Sequence, residues 1–170
     1  MTADITPIHG GAVAAVVALM ESQRLLTLGV IRPDGWPQVT TVGYVNDGLN
    51  LYMSVARDSQ KLANIQADPR VSIAIRSESD HGDAVGLSLA GHASEVRDPA
   101  LIAGINRLVA ARYPDVSVYC PSGESVAVIH VAPLIIAPVA VSDGHSHPQT
   151  FSVGEGIGEV SGPAGVSRLF

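Results

Sequence analysis

Residues 8–22 are rich in alanine and valine and end at "MESQ", a pattern that predicts an opening helix. "RLLTLGVI", Arg24 to Ile31, is apolar and β-branched enough for a buried strand. "RPDG", Arg32 to Gly35, carries turn chemistry: proline presets φ, aspartate tolerates the third position and glycine closes. "PQVTTVGYV" then alternates as one strand, Asn46-Asp47-Gly48 marks a hairpin, and "LNLYMSVA" returns. Three strands joined by tight turns make a meander. A short helix follows, "QKLANIQA", capped by Asp58 or Ser59 and ended by Asp68-Pro69.

"RVSIAIRS" reads as a fourth strand, the polar tract Ser77 to Asp83 as a loop, and "AVGLSLAGHASEV" as a fifth strand. In the latter, Gly86 and Gly91 are candidate bulge or close-approach points. "DPALIAGINRLVAARYP" is a helix with Asp98 as cap and Pro99 at its first position, stopped by Pro114. Ser125 to Val141 gives a sixth strand, which Pro133 and Pro138 demote to an edge or a bent position. From Ser142 the chain turns to Gly, Ser, His and Pro, the composition of a surface arm or a disordered tail. The expected architecture is mainly β with peripheral helices: a six-stranded antiparallel barrel over residues 1–141 and an arm over 142–170. Closure or near closure would remove unpaired edges, and the tight early connections exclude parallel crossovers.

The 170 residues are enough for one domain with a real core. A net charge of −6 with no basic block argues against nucleic acid and against an anionic membrane surface. The apolar run Ala12 to Met20 is too short to span a bilayer and has no basic leader before it, so a soluble, cytoplasmic protein is expected. A lone cysteine, Cys120, excludes an internal disulfide, and "YCPSG" gives it no neighbouring histidine.

Against nine arginines stands a single lysine, Lys61, in the first turn of the short helix. A cation there opposes the helix dipole, at a cost of roughly a few tenths of a kcal/mol or more. Free backbone N–H groups, the Ser59 hydroxyl and the Lys61 ammonium are all donors, and together they suit an anion such as phosphate. A solvated lysine paired with Asp58 is the alternative.

Leu25 to Ile75 resembles the FMN-binding split-barrel proteins related to pyridoxamine 5′-phosphate oxidase. The shared pattern is Gly35 and Pro37 at the first turn, Leu51 to Ser54, Ser59 and Lys61 opening the helix, and Asp68 to Val71 after it. The resemblance implies a homodimer with FMN in a groove between subunits and a small-molecule substrate. The FMN phosphate would lie against Ser59, Gln60 and Lys61, and the isoalloxazine along Val39, Thr40, Thr41 and Val42. Tyr52, Met53 and Ser54 would border the chain between them. Ser59-Gln60-Lys61 departs from the usual Ser-Arg-Lys, so one cationic contact is missing. The tail, with Arg168 as its single arginine, lacks the substrate-gripping pattern of the vitamin-synthesising oxidases. The implied activity is therefore FMN-dependent electron transfer from a reduced donor to a small acceptor.

Two alternatives remain. His145 and His147 in "GHSHP" would serve a haem-binding or haem-degrading relative as axial ligands, although two histidines are not a metal signature. A non-catalytic dimer holding flavin for storage or sensing is the other. His92 and His130 sit in strand patterns as core or interface residues, and His81 lies in the polar loop, where it could overhang a ligand; Trp36, beside the first turn, suits ordinary packing, with a partner subunit or a ligand as its alternative neighbour. No side chain is singled out as acid or base.

Overall fold

The structure is a computed structural model that describes residues 5–78, 84–115, 125–142 and 145–154. Its elements run β1 (Thr6–Pro7), α1 (Gly11–Ser22), β2 (Leu25–Ile31), β3 (Pro37–Gly43), β4 (Val45–Asp47), β5 (Asn50–Ala56) and α2 (Gln60–Ala67). They continue with β6 (Arg70–Glu78), β7 (Ala84–Val96), α3 (Pro99–Arg112), β8 (Val126–Ser142), β9 (His145–Pro148) and β10 (Phe151–Ser152). The six long strands β2, β3, β5, β6, β7 and β8 build a mainly β split barrel whose sheet does not close. Neighbours pair antiparallel, apart from the parallel β1–β10 contact.

Period-two alternation decides which face is inside. Leu26, Leu28 and Val30 of β2 and Val71, Ile73 and Ile75 of β6 are buried, and the residues between them are not. They meet Leu51, Met53, Leu87, Leu89, Ile129 and Ile136 in one core, closed by Val16 and Met20 of α1 and Leu62 and Ile65 of α2. A second cluster lies outside β4, β5 and β8, where α3 presses Ile105 onto Val45, Tyr52, Val96 and Val128.

The meander is broken. "PQVTTVGYV" is two strands: β3 pairs with β2, β4 pairs with β5, and β5 lies against β8 instead of β3. The break falls at Tyr44, whose buried hydroxyl donates to the Met20 carbonyl at 2.7 Å, while its own carbonyl accepts from the Tyr113 hydroxyl at 3.0 Å. An aromatic side chain anchored inward redirects the backbone across the split. Among the described residues this leaves one edge of β3 unpaired.

The sixth strand is not an edge. β7 flanks β8 along its length, and β5, then β10 and β9, take its other side. Pro133 is accommodated where the β7–β8 register shifts next to Gly91. A Cβ at Gly91 would overlap the Ala132 carbonyl oxygen and come within 3.0 Å of the Pro133 Cα, so the close approach needs glycine. The tail also differs from the expectation, because β9 and β10 return to pair with β8. Their pairing is made by the backbone, which a composition read along the chain does not register. Residues 155–170, with Arg168, lie outside the described residues.

Candidate functional site

Ser59, not Asp58, caps α2. Its Oγ accepts from the Leu62 amide at 3.2 Å, and its carbonyl receives the Ala63 amide at 3.3 Å. The amides of Gln60 and Lys61 therefore have no acceptor within the helix, and the Ser59 hydroxyl proton remains to be donated. Lys61 is half-buried, and burial pushes its ammonium below the ordinary lysine range. Among the described residues it makes no ion pair, with Asp58 or any other carboxylate. Nearby cations are different: Arg57 donates to Glu95 at 2.8 Å and to the Val126 carbonyl at 3.2 Å, and Arg70 grips Asp68 at 2.6 Å. The donor set at the head of α2 is therefore one free ammonium, one hydroxyl and two amides, a set that fits a phosphate monoester.

Gln60 contributes through its backbone. Its side-chain amide donates to Asn64 Oδ1 at 2.9 Å, and Asn64 Nδ2 donates to Gln38 Oε1 at 3.0 Å. This chain joins the head of α2 to β3. On β3, Val39 (62% exposed) and Thr41 face outward, and Thr40 and Val42 are half-buried on the other side. β5 leads straight into α2, but its side chains diverge. Met53 is packed in the barrel core, and Tyr52 is buried in the outer cluster, stacked on His130 with ring centroids 5.0 Å apart. Ser54 is exposed. Both side chains are thus occupied by packing, and the backbone of Tyr52 and Met53 pairs within the sheet, with β4 and β8.

The outer face that β3 shares with β2, β6, β7 and β8 carries two adjacent uncharged rows, flanked on β6 by the exposed Arg70 and Arg76. One row reads Val39, Gly29, Ser72, Ala90, Ile135, and the next Thr41, Thr27, Ala74, Ser88, Ala137. A cavity of about 150 Å³ indents this face between Ser72, Ser88, Ile135 and Thr150. Trp36 projects from the β2–β3 turn, 72% exposed.

The sequence profile of the pyridoxamine 5′-phosphate oxidase family matches residues 12–136, well over half of the chain. The chain belongs to that family. A search of the curated proteins finds no match. Solved structures with the family fold include the haem-binding protein of Mycobacterium smegmatis, with a TM-score of 0.68 and 21% identity over 84% of this chain. The chain spans 59% of that protein. HutZ, the haem storage protein of Vibrio cholerae, gives 0.61 at 16% identity over 71% of this chain and 88% of its own. An FAD-binding protein of Mesorhizobium loti gives 0.63 at 15% identity over 76% and 94%. At these identities the likeness concerns the fold.

The histidines divide by position. His145 and His147 are exposed at alternate positions of β9, opposite Ser142 and Ala140. His130 is half-buried, with Nε2 2.9 Å from Asn50 Oδ1, and His92 is exposed on β7. His81 and Cys120 lie outside the described residues. Among the described residues no three His, Cys, Asp or Glu side chains gather as a metal site, and no helix is long and apolar enough to cross a membrane. Gln38 and Asn64 are the site neighbours that the sequence reading missed. Their signal was an asparagine in mid-helix, a residue that favours caps and turns.

Proposed function

We propose that this family member is a cytoplasmic FMN-binding oxidoreductase, a homodimer with the cofactor between its subunits. The observation that carries the reading is Lys61: a half-buried ammonium at a helix N-terminus, with no carboxylate to neutralise it among the described residues. Ser59, Lys61 and the first amides of α2 hold the phosphate, and β3 borders the ring through Val39, Thr40, Thr41 and Val42. Ser54, with Tyr52 and Met53 of the same strand, borders the path between. Bound FMN supplies the electron transfer, and the chain supplies binding, orientation and exclusion of water. The two uncharged rows on the outer face of the sheet support a second copy as the other wall of the groove. The reading does not extend to pyridoxine-phosphate oxidation, whose substrate-gripping arginines have no counterpart in the tail.

The absorption spectrum of the purified protein, followed by FMN titration with flavin fluorescence as readout, tests the reading. Flavin bands or saturable quenching are expected; colourless protein that takes up no FMN refutes it. Reduction of the bound flavin by a nicotinamide donor, then reoxidation by a small acceptor, separates an oxidoreductase from a carrier of flavin.

A second reading rests on His145 and His147, which share one side of the exposed strand β9 and would offer axial ligands to haem. A Soret band on haem titration that is lost in His145→Ala/His147→Ala supports it. A band that survives both replacements removes the arm from the reading.

A further inference from the structure

Asn64 sits in mid-helix in α2 and is completely buried where the helix caps the barrel core. Asparagine is a poor helix former, and an amide without partners costs more to bury than an apolar side chain of similar volume. Both halves of this amide are used. Oδ1 accepts from Gln60, the first residue of α2, and Nδ2 donates to Gln38, the second residue of β3. The chain of side chains thus starts at the donor end of the helix, passes through the buried interior and ends on the strand.

The geometry points to Asn64 as a positioning residue: the Gln60–Asn64–Gln38 chain fixes the Ser59–Lys61 donors relative to β3, so that a ligand touching both is held in one register. The inference rests on the FMN reading, which supplies a ligand with phosphate at α2 and ring along β3. A ligand that engages α2 alone does not depend on the tie. That difference separates positioning from a general structural role.

Leucine at position 64 keeps the branching of asparagine, with bulkier methyl groups in place of the amide atoms, and removes the tie. Gln60 is exposed and Gln38 half-buried, so both amides can bond water instead and the fold persists. The experiment measures FMN affinity by fluorescence quenching and inorganic phosphate affinity by phosphorus NMR. The proteins are wild type, Asn64→Leu, Gln38→Leu and the double variant. Each single variant is expected to lose about tenfold in FMN affinity, the effect of one network hydrogen bond. The double variant loses no more, because both changes break the same tie. Phosphate affinity stays at the wild-type value throughout. Unchanged FMN affinity in the single variants, additive losses, or a parallel fall in phosphate affinity overturns the inference and leaves the FMN reading standing. Wild-type protein that takes up no FMN overturns the reading, and the inference with it. If Asn64→Leu fails to fold, Gln38→Leu on the edge strand carries the same comparison.

Discussion

Replacing Lys61 by methionine keeps most of the aliphatic stem and removes the charge. An ammonium 4 Å from a phosphate oxygen interacts by about 4 kcal/mol at the effective dielectric of a protein surface. The net effect is smaller, about 1.5–3 kcal/mol for a hydrogen bond to a charged group, or roughly 10- to 150-fold in affinity. The structure favours the upper part of that range. Lys61 is half-buried and so already partly stripped of water in the free protein, and binding adds little further desolvation. For the same reason the unliganded variant should melt no lower than wild type, and slightly higher if relief from the helix dipole dominates.

The sign with pH follows from the same shift. Free Lys61 releases its proton below the ordinary 10.5, whereas a bound phosphate holds the proton on. FMN affinity therefore falls as pH rises through the free-protein value, and Lys61→Met abolishes this alkaline limb. Dissociation constants from fluorescence quenching from roughly pH 7, where the phosphate is mostly dianionic, up to roughly 10.4, the ordinary lysine value, paired with melting of the unliganded protein, make the measurement. If the variant binds FMN like wild type and its unliganded form loses several degrees, Lys61 is a structural residue and the phosphate argument fails.

Three further outcomes test the packing. Arg112→Met removes the donors to Asn46 Oδ1 (2.7 Å) and the Asn46 carbonyl (3.2 Å), leaving a buried amide short of partners. A loss of about 1–3 kcal/mol is expected, seen as a lower urea midpoint with unchanged slope. Gly91→Ala forces a Cβ onto backbone atoms at the β7–β8 register shift, and overpacking of that kind costs about 1–3 kcal/mol. Its melting temperature should drop by roughly 2–12 °C, and an unchanged one would mean that the ladder there gives way easily. Asp68 is held near pKa 2 by its hydrogen bonds to Arg70. Its depressed value makes its contribution complete above the ordinary 3.8 and lost as pH falls through about 2. The stability gap between wild type and Asp68→Asn should close over that window, and because the pair is largely exposed the gap should be small and shrink with salt.

Features whose cause is local were legible along the chain. "RPDG" closes by a Gly35 amide to Arg32 carbonyl bond of 2.9 Å, and Gly35 takes φ 84°. Asn46-Asp47-Gly48 makes the β4–β5 hairpin, and Asp98 caps α3 through the Ala100 amide at 2.9 Å. Where the cause is distant, the pattern was silent. "PQVTTVGYV" alternates correctly for one strand, and nothing in it says that the Tyr44 hydroxyl finds Met20 and breaks it. β1 and β10 are two residues each, specified by pairing partners far away in sequence. At the site, Lys61 could be singled out because a lone cation in a first turn violates a local rule. Asn64 violates one too, but its partners on β3 and at the head of α2 emerge only once the strand and helix are packed together.

The outer sheet face bears on assembly through charge. Two copies of a chain with net charge −6 repel each other, and two bound phosphates would add to the repulsion. A contact can form most readily where like charges are kept apart, and the rows from Val39 to Ile135 and from Thr41 to Ala137 carry none. A dimer built on this face should strengthen as salt screens the remaining charges. One built on cross-subunit ion pairs should weaken. Sedimentation at roughly 0.05 and 0.5 M salt, a span over which the Debye length falls by about threefold, distinguishes the two. Ser88→Asp, placed between Ala74 and Ala137 on that face, should shift the protein to monomer and release FMN at the same time. If that variant stays dimeric with its flavin bound, the subunits meet elsewhere and the second wall of the groove is not this sheet.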